Sequence, residues 1–569
     1  MRSVLRAAAV ALAAALAFAA VVPRSEFVFD DHVLVERHAE LLRPGIVGSA
    51  FGRDYYTASE QLGVSGYYRP IAVLCNAFDA RVGRLQAARA HVTNIVLHVA
   101  ACWLLPGALS ALGIPTPAAW ATALLFAVHP VHAESVAFIS GRVDVLAALF
   151  IFLAMGAARG RFRWSAIVVG AASLLAFLSK EIAVVLPVLL ALVWWGGTVE
   201  RATPPAAGAG GAMGRKRRPL AQVGAVAAAV VLALFLRQHA LGALLPTSAG
   251  ESRTAGAALL PFKTLFFALG SLFAPAPLLG VEPDPARLGI GRLLVGTLVA
   301  AGFWVAAARW VPTARRALGL TAAASVVALL PVLNLLPQET ALSERLHYLA
   351  SAFLLVPVGV LAAAAWERPG RVRYVAGAVF ALMLVGLLGV SSWRAKLWRS
   401  DLTIWQRAVH EEPERAAFWD RLGLTLTERR NYPPAEQALR RAVQLDPHYF
   451  NAWHNLGVVL QTKRDYPGAA AAYREALRLQ PHNVLAHLNL GRTLVILRDL
   501  EGAYAAATAA VHDKPDSFEA QRMAGMIALR MEDWEHAEQH LQAALRLEPG
   551  NPAIQQALNK LAQRRSASP

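Results

Sequence analysis

Hydrophobic and polar positions follow two rhythms along the 569 residues. Up to residue 391, long apolar runs alternate with short polar stretches. Beyond it, apolar positions return in shorter segments punctuated by prolines. A bilayer-spanning helix needs ~20 mostly apolar residues. The expected spans are 4–22, 92–112, 116–130, 143–158, 163–179, 182–198, 219–239, 290–309, 317–336, 347–366 and 372–391. A further segment, 257–281, is apolar but broken by Pro261, Gly270, Pro275 and Pro277. It is either a twelfth span or a re-entrant or interfacial piece. The first run, with Arg2, Arg6 and small residues at Ala17, Ala19 and Ala20, has features of a secretory signal. It is read as a retained span, because ten more follow and the acidic loop behind it looks functional.

The second rhythm is a repeat of 34 residues, in blocks starting at 416, 450, 484 and 518. Block position 8 is Gly423, Gly457, Gly491 and Gly525, and position 20 is Ala435, Ala469, Ala503 and Ala537. Position 27 is Ala442, Ala476, Ala510 and Ala544, and position 32 is Pro447, Pro481, Pro515 and Pro549. Small residues let two helices approach, and the proline ends the second helix. This is the tetratricopeptide pattern, which stacks into a superhelix with a concave binding face. The chain is thus expected to be all-α. Residues 1–392 form a polytopic membrane domain, and 393–415 a connecting helix and partial repeat (Trp405, Ala408, Pro413). Four repeats occupy 416–551, and a capping helix and tail 552–569.

Composition agrees with a membrane protein: 56% hydrophobic, 16% charged, mean hydropathy +0.42. The net charge of +17 could indicate nucleic acid, but its location removes that reading. Residues 401–569 carry 20 basic and 20 acidic side chains, so the whole excess lies in the apolar part. With a cytoplasmic N-terminus and eleven spans, the inner loops hold 16 basic and 2 acidic residues. That bias follows the positive-inside rule. It places the repeats outside the cytoplasm, and a twelfth span would spoil it. Two cysteines, Cys75 and Cys102, are too few for a disulfide framework.

Ionisable residues at membrane depth are expensive and are candidates for function. Asp30 and Asp31 follow the first span, and adjacent carboxylates push one pKa up. Such a group could be a general base toward a hydroxyl, or an ordinary acidic loop cap. His129, His132 and Glu134 precede Gly141-Arg142-Val143-Asp144. They could hold a divalent metal or form a hydrogen-bonded loop scaffold. Lys180-Glu181 lies between two apolar runs, where the lysine could neutralise a phosphate or form an internal ion pair. Arg345, within Glu344-Arg345-Leu346-His347-Tyr348, can fork onto a phosphate or cap a helix. Arg69 in Tyr67-Tyr68-Arg69-Pro70 is similarly placed. A base, several cations and polar aromatics thus fall on one face of the membrane, which fits a lipid-linked phosphate donor and a hydroxyl acceptor. Asp30 and Asp31 are the catalytic candidates. Arg69, His129, His132, Glu134, Arg142, Asp144, Lys180, Glu181, Glu344, Arg345 and Tyr348 are the candidates for binding substrate and lipid phosphate. Whether a metal takes part stays open at this point.

Six stretches carry a family resemblance: FVFDD (27–31), YYRPIAVL (67–74), HVTNIVLH (91–98), HPVHAESVAFISGRVDVLAALF (129–150), SKEIAVVLP (179–187) and ERLHYLAS (344–351). With SSWRAKLWRSDLTIWQRAV (391–409) leading into the repeats, the chain resembles the transmembrane and tetratricopeptide-repeat-containing protein O-mannosyltransferases of the GT-C superfamily. The resemblance implies inverting transfer of a sugar, typically mannose, from a polyprenyl-phosphate donor to Ser or Thr hydroxyls. It implies a catalytic acid at Asp30 or Asp31, donor or acceptor contacts at Glu134, Arg142 and Asp144, and phosphate contacts at Lys180 and Arg345. The repeats would gather an acceptor protein or a partner. There are fewer repeats than is usual in the animal proteins, and the Ala- and Arg-rich composition points to a bacterium and its inner membrane. The donor lipid is then expected to be undecaprenyl-linked, and its sugar need not be mannose. Two rivals are a non-catalytic membrane-anchored scaffold and a lipid-linked envelope glycan ligase or polymerase.

Overall fold

The computed structural model describes residues 2–36, 38–55, 66–83, 86–160, 164–199, 212–243, 260–273, 290–333 and 343–567. The chain divides into two units, Met1–Asp401 and Leu402–Pro569. Among the described residues both are helical and no strand occurs.

In the first unit, the described part of each expected apolar run is largely helical. Among the described residues, seven helical stretches are long and apolar enough to cross a membrane, including Ser3–Val21, Ala87–Ala111, Ile139–Ala158 and Arg371–Leu397. Five shorter apolar helices accompany them: Thr116–Ala127, Ser165–Phe177, Glu181–Gly196, Leu260–Phe273 and Leu294–Trp310. Leu260–Phe273 is the described part of 257–281; the flanks of that segment lie outside the described residues. Large apolar side chains such as Trp103, Trp195, Leu298 and Leu382 stand exposed on these helices. In water such a surface would be a liability; against lipid it is the expected outer face. Small residues set the closest crossings. A Cβ on Gly359 would lie 2.1 Å from Thr122 Oγ1, so the helices Val356–Glu367 and Thr116–Ala127 touch backbone to side chain.

The segment after the first span is folded. A π-helical turn at His32–Glu36 leads through a 3₁₀ turn at Ala39–Leu42 and a short helix at Ile46–Phe51 to the helix Pro70–Gly83. The last was not among the expected elements: at 14 residues it is too short for the span criterion. Its apolar side binds the segment to the rest of the unit. Leu34, Val35, Leu41, Ile46, Ala72, Val73 and Ala77 form one buried cluster with Ala90, Ile139 and Val143.

In the second unit the four blocks start four helix pairs. The first helices are Ala416–Glu428, Phe450–Thr462, Val484–Ile496 and Phe518–Arg530. Their partners are Tyr432–Leu445, Tyr466–Leu479, Leu500–Asp513 and Trp534–Leu547. Asp401–Glu411 precedes them and Pro552–Ala567 follows. At Gly423, Gly457 and Gly525 a Cβ would meet the partner helix, 2.5 Å from the Tyr473 ring at Gly457. The turn inside each pair repeats as faithfully: Arg430, Arg464, Arg498 and Glu532, spaced by 34, all have φ between 59° and 67°. In three of the four turns the side chain of the next residue caps the second helix. Asp465, Asp499 and Asp533 accept from the backbone N–H of Gly468, Gly502 and His536.

Candidate active site

The Asp30-Asp31 pair sits on a tight turn. Asp31 N–H donates to Val28 O at 2.9 Å, and Leu34 N–H donates to Asp30 O at 2.8 Å. Turn geometry sends the two carboxyls into different surroundings. Asp31 is fully buried and accepts from the Ser140 N–H (2.8 Å) and hydroxyl (2.5 Å). Burial pushes its carboxyl up to about 7, against the opposing effects of Ser140, the Val28 N–H and the Arg142 charge. The cause of the rise is desolvation, rather than the repulsion between neighbouring acids expected from the sequence. Asp30 is only half-buried. The two acids therefore differ in burial: Asp31 ties the turn to Ile139–Gly141, and Asp30 is only partly enclosed.

Phe29, just before the pair, has φ +49°, in the left-handed region that L residues avoid. Its ring packs against Phe138 and Trp398, centroids 6.1 and 6.0 Å away.

Five buried or half-buried cations meet carboxylates around this turn. Arg69 binds Glu181 (2.9 Å) with its guanidinium 4.4 Å above the Tyr67 ring. Lys180 binds Asp144 at 2.5 Å, and Arg142 binds Asp79 at 2.6 Å. Arg394 binds Glu344. Arg345 lies 3.6 Å from Glu134, the longest of these contacts. The pairs share one electrostatic neighbourhood. Lys180 feels Arg69 and Arg345, while Glu134 feels Arg345 and Asp144. Of the two readings of Lys180, the internal ion pair is the one seen, and the concentration of Arg69, Lys180 and Arg345 is seen with it. Arg142 is fully buried: its guanidinium also donates to the Ile139 and Ala90 carbonyls. It anchors the Gly141 turn.

The histidines are committed elsewhere. His129 Nδ1 accepts from the Val131 N–H, so Nε2 carries the proton and donates to Leu272 O at 3.0 Å. His132 Nε2 lies 2.8 Å from Ser351 Oγ. Glu134 accepts from the Ser343 hydroxyl and the Arg345 N–H. Among the described residues, no group of three His, Cys, Asp or Glu is arranged to hold a metal. The loop scaffold is therefore the arrangement observed around His129 and His132. Tyr348 donates to His98 Nδ1 at 2.7 Å, deep in the helices.

Sequence reasoning missed several members: Asp79, Ser140, Arg394 and Asp401. Asp401 accepts from the Phe29 N–H (3.2 Å), and its other oxygen lies 3.0 Å from His32 Nε2. Arg394 and Asp401 lie inside the 391–409 stretch that carried the resemblance, so the signal was present without a role attached. Asp79 and Ser140 are single residues whose partners are distant in sequence, and no spacing marks them.

In the second unit, His482, His487 and His512 gather around Asp513, while His454 instead meets Asn489. Charges on the repeats form mostly local pairs, such as Arg440–Glu436 and Arg522–Glu519.

A tetratricopeptide-repeat family profile matches residues 402–450, 454–518 and 497–552. The C-terminal unit is a tetratricopeptide-repeat domain. Through this domain the chain is similar to three proteins named protein O-mannosyl-transferases. It is 31% identical over 132 residues to TMTC2 of Mus musculus, covering 23% of this chain and 16% of that protein. It is 35% identical over 135 residues to TMTC1 of Mus musculus, covering 23% and 14%. It is 32% identical over 143 residues to TMTC4 of Homo sapiens, covering 22% and 19%. The match thus spans less than a fifth of these relatives' length, over the repeats, and there it supports the resemblance read from the motifs. Among solved structures, the repeat domain is similar to MamA, 20% identical over 26% of this chain and 86% of that one, TM-score 0.25. YrrB, titled a TPR protein with an unusual peptide-binding site, is 19% identical over 32% and 91%, TM-score 0.26.

Proposed function

We propose that the membrane unit transfers a sugar from a polyprenyl-phosphate donor to Ser or Thr hydroxyls of exported proteins, with mannose as the first sugar to test. The name of the relatives supports the sugar and the reaction class. The observation that carries the proposal is the half-buried Asp30 on a turn backed by the buried Asp31: Tyr55 feels the charges of Asp30, Asp31 and Arg69 together, and Arg69 in turn acts on Lys180 alongside Arg345. In this reading Asp30 accepts the proton of the acceptor hydroxyl. The hydroxyl oxygen attacks the anomeric carbon, the bond from that carbon to the phosphate oxygen breaks, and the phosphate leaves with the electron pair. Cations already oriented by carboxylates stabilise that developing charge. Arg345, a quarter exposed, is the most solvent-accessible of the three cations Arg69, Lys180 and Arg345. Glu134, Asp144, Glu181 and Glu344 hold these and neighbouring cations in position.

The proposed topology has eleven spans, a cytoplasmic N-terminus and the repeats outside, in a bacterial inner membrane. The repeat domain would bind the acceptor or a partner and raise its local concentration. The experiment is intact-mass analysis of exported proteins from cells carrying wild type, Asp30→Asn or Asp31→Asn at matched expression. The reading expects loss of hexose additions with Asp30→Asn. Unchanged masses with that variant would refute it, and loss of envelope polysaccharide with unmodified proteins would favour a glycan ligase.

A further inference from the structure

We infer that Asp401 is a positioning residue for the Asp30 turn, bracketing it by binding the Phe29 amide on one side and the His32 ring on the other. The inference rests on the reading of Asp30 as the base. It starts from the backbone. Phe29 holds φ +49° with a bulky side chain, a conformation that persists only where surroundings over-determine it. Those surroundings come largely from one segment. Trp398 packs on the Phe29 ring, Arg399 O accepts from the Glu26 N–H at 2.7 Å, and the Arg399 guanidinium donates to Ala20 O. Asp401 supplies a charged contact: Oδ1 to Phe29 N–H at 3.2 Å and Oδ2 to His32 Nε2 at 3.0 Å. Residues 29 and 32 flank the two acids, so one carboxylate holds both ends of the turn.

His32 lies between two carboxylates, Asp401 and, through Nδ1 at 2.6 Å, Glu36 of its own turn. Asp30 and Asp31 are its neighbours along the chain. The Asp401 hydrogen bond, then the one to Glu36, hold the imidazolium up at about 9, against the opposing effect of burial. A raised histidine pKa means the charged pair is present at neutral pH and is lost as pH rises through about 9.

The plainer reading is that Asp401 only serves the first turn of its own helix, Asp401–Glu411, where an acid is favourable. Serine separates the two readings, because it serves a helix N-terminus well but is too short to reach Phe29 and His32 together. Asparagine keeps an acceptor for the Phe29 N–H and loses the charge.

The test uses the full chain in detergent. Amide hydrogen exchange of the peptide 27–36 is read by mass spectrometry. Transfer is assayed with undecaprenyl-phosphate mannose and a Ser/Thr peptide. Bracketing predicts that Asp401→Ser and Asp401→Ala speed exchange at Leu34 about tenfold or more. Both should lower kcat by about 10- to 100-fold with KM for either substrate nearly unchanged. Asp401→Asn should fall between, with the alkaline limb of its pH profile shifted below that of wild type. Wild-type exchange in Asp401→Ser would overturn the inference, as would faster exchange with unchanged kcat. If Asp30→Asn still transfers sugar, the reading of Asp30 fails instead, and exchange still decides whether Asp401 holds the turn.

Discussion

Two lysine–carboxylate pairs of the same 2.5 Å length show how differently the two units are built. Lys180–Asp144 in the membrane unit is nearly sealed, its side chains 11% and 2% exposed; Lys463–Glu436 on the repeats is 36% and 17% exposed. Water screens the second and gives its members other partners. The first has lost that alternative, so each member needs the other. The repeat unit therefore draws its order from periodic packing of small residues, with charges dispersed over its surface. The membrane unit spends its order on holding charge where charge is costly. That expense is the mark of a site.

The comparison breaks most sharply at Lys180. Lys180→Ala leaves Asp144 buried and uncompensated, and is expected to cost about 3–5 kcal/mol, read as a drop in thermal unfolding midpoint of the detergent-solubilised chain. A loss similar to that of a surface pair would mean that water reaches Asp144. Next comes Gly457→Ala. Its methyl would lie 2.5 Å from the rigid Tyr473 ring, with an expected cost of about 1–3 kcal/mol. Faster proteolysis at the second repeat would report it. Asp499→Ala removes the cap on Gly502 N–H for about 1 kcal/mol, visible as faster amide exchange at the start of Leu500–Asp513. Lys463→Ala should be smallest, within about 0–1 kcal/mol and further reduced by salt. A large loss there would undo the contrast.

The two units were also unequally legible in sequence. The repeat writes its own ruler: Gly423, Gly457, Gly491 and Gly525 mark the close approach, and the helix pairs begin where the blocks begin. Even so, the left-handed turn at Arg430, Arg464, Arg498 and Glu532 went unread, because arginine and glutamate do not announce positive φ as glycine does. In the membrane unit the apolar runs were readable as helices, since apolarity is all a lipid-facing helix requires. The loop helix Pro70–Gly83 was not, because its apolar residues serve a small local cluster. Many of the chemistry-bearing residues could be listed one by one, but Asp79 and Arg394 could not, and neither could the pairing. Arg69–Glu181, Arg142–Asp79 and Arg394–Glu344 join partners 112, 63 and 50 residues apart. Adjacency in sequence also misled about Asp30 and Asp31. They read as one dyad, and the turn separates them into a buried anchor and a half-buried acid.

That separation is the centre of the account, and transfer kinetics of Asp30→Asn and Asp31→Asn side by side test it most directly. An amide at position 31 still offers an oxygen to the Ser140 N–H and hydroxyl and gives up only the long Val28 N–H contact (3.4 Å), so the turn survives and kcat should fall by less than about tenfold. An amide at position 30 cannot take a proton, so kcat should fall by about 10²–10⁴-fold with KM little changed. Equal losses in both, or a larger loss with Asp31→Asn, would contradict it.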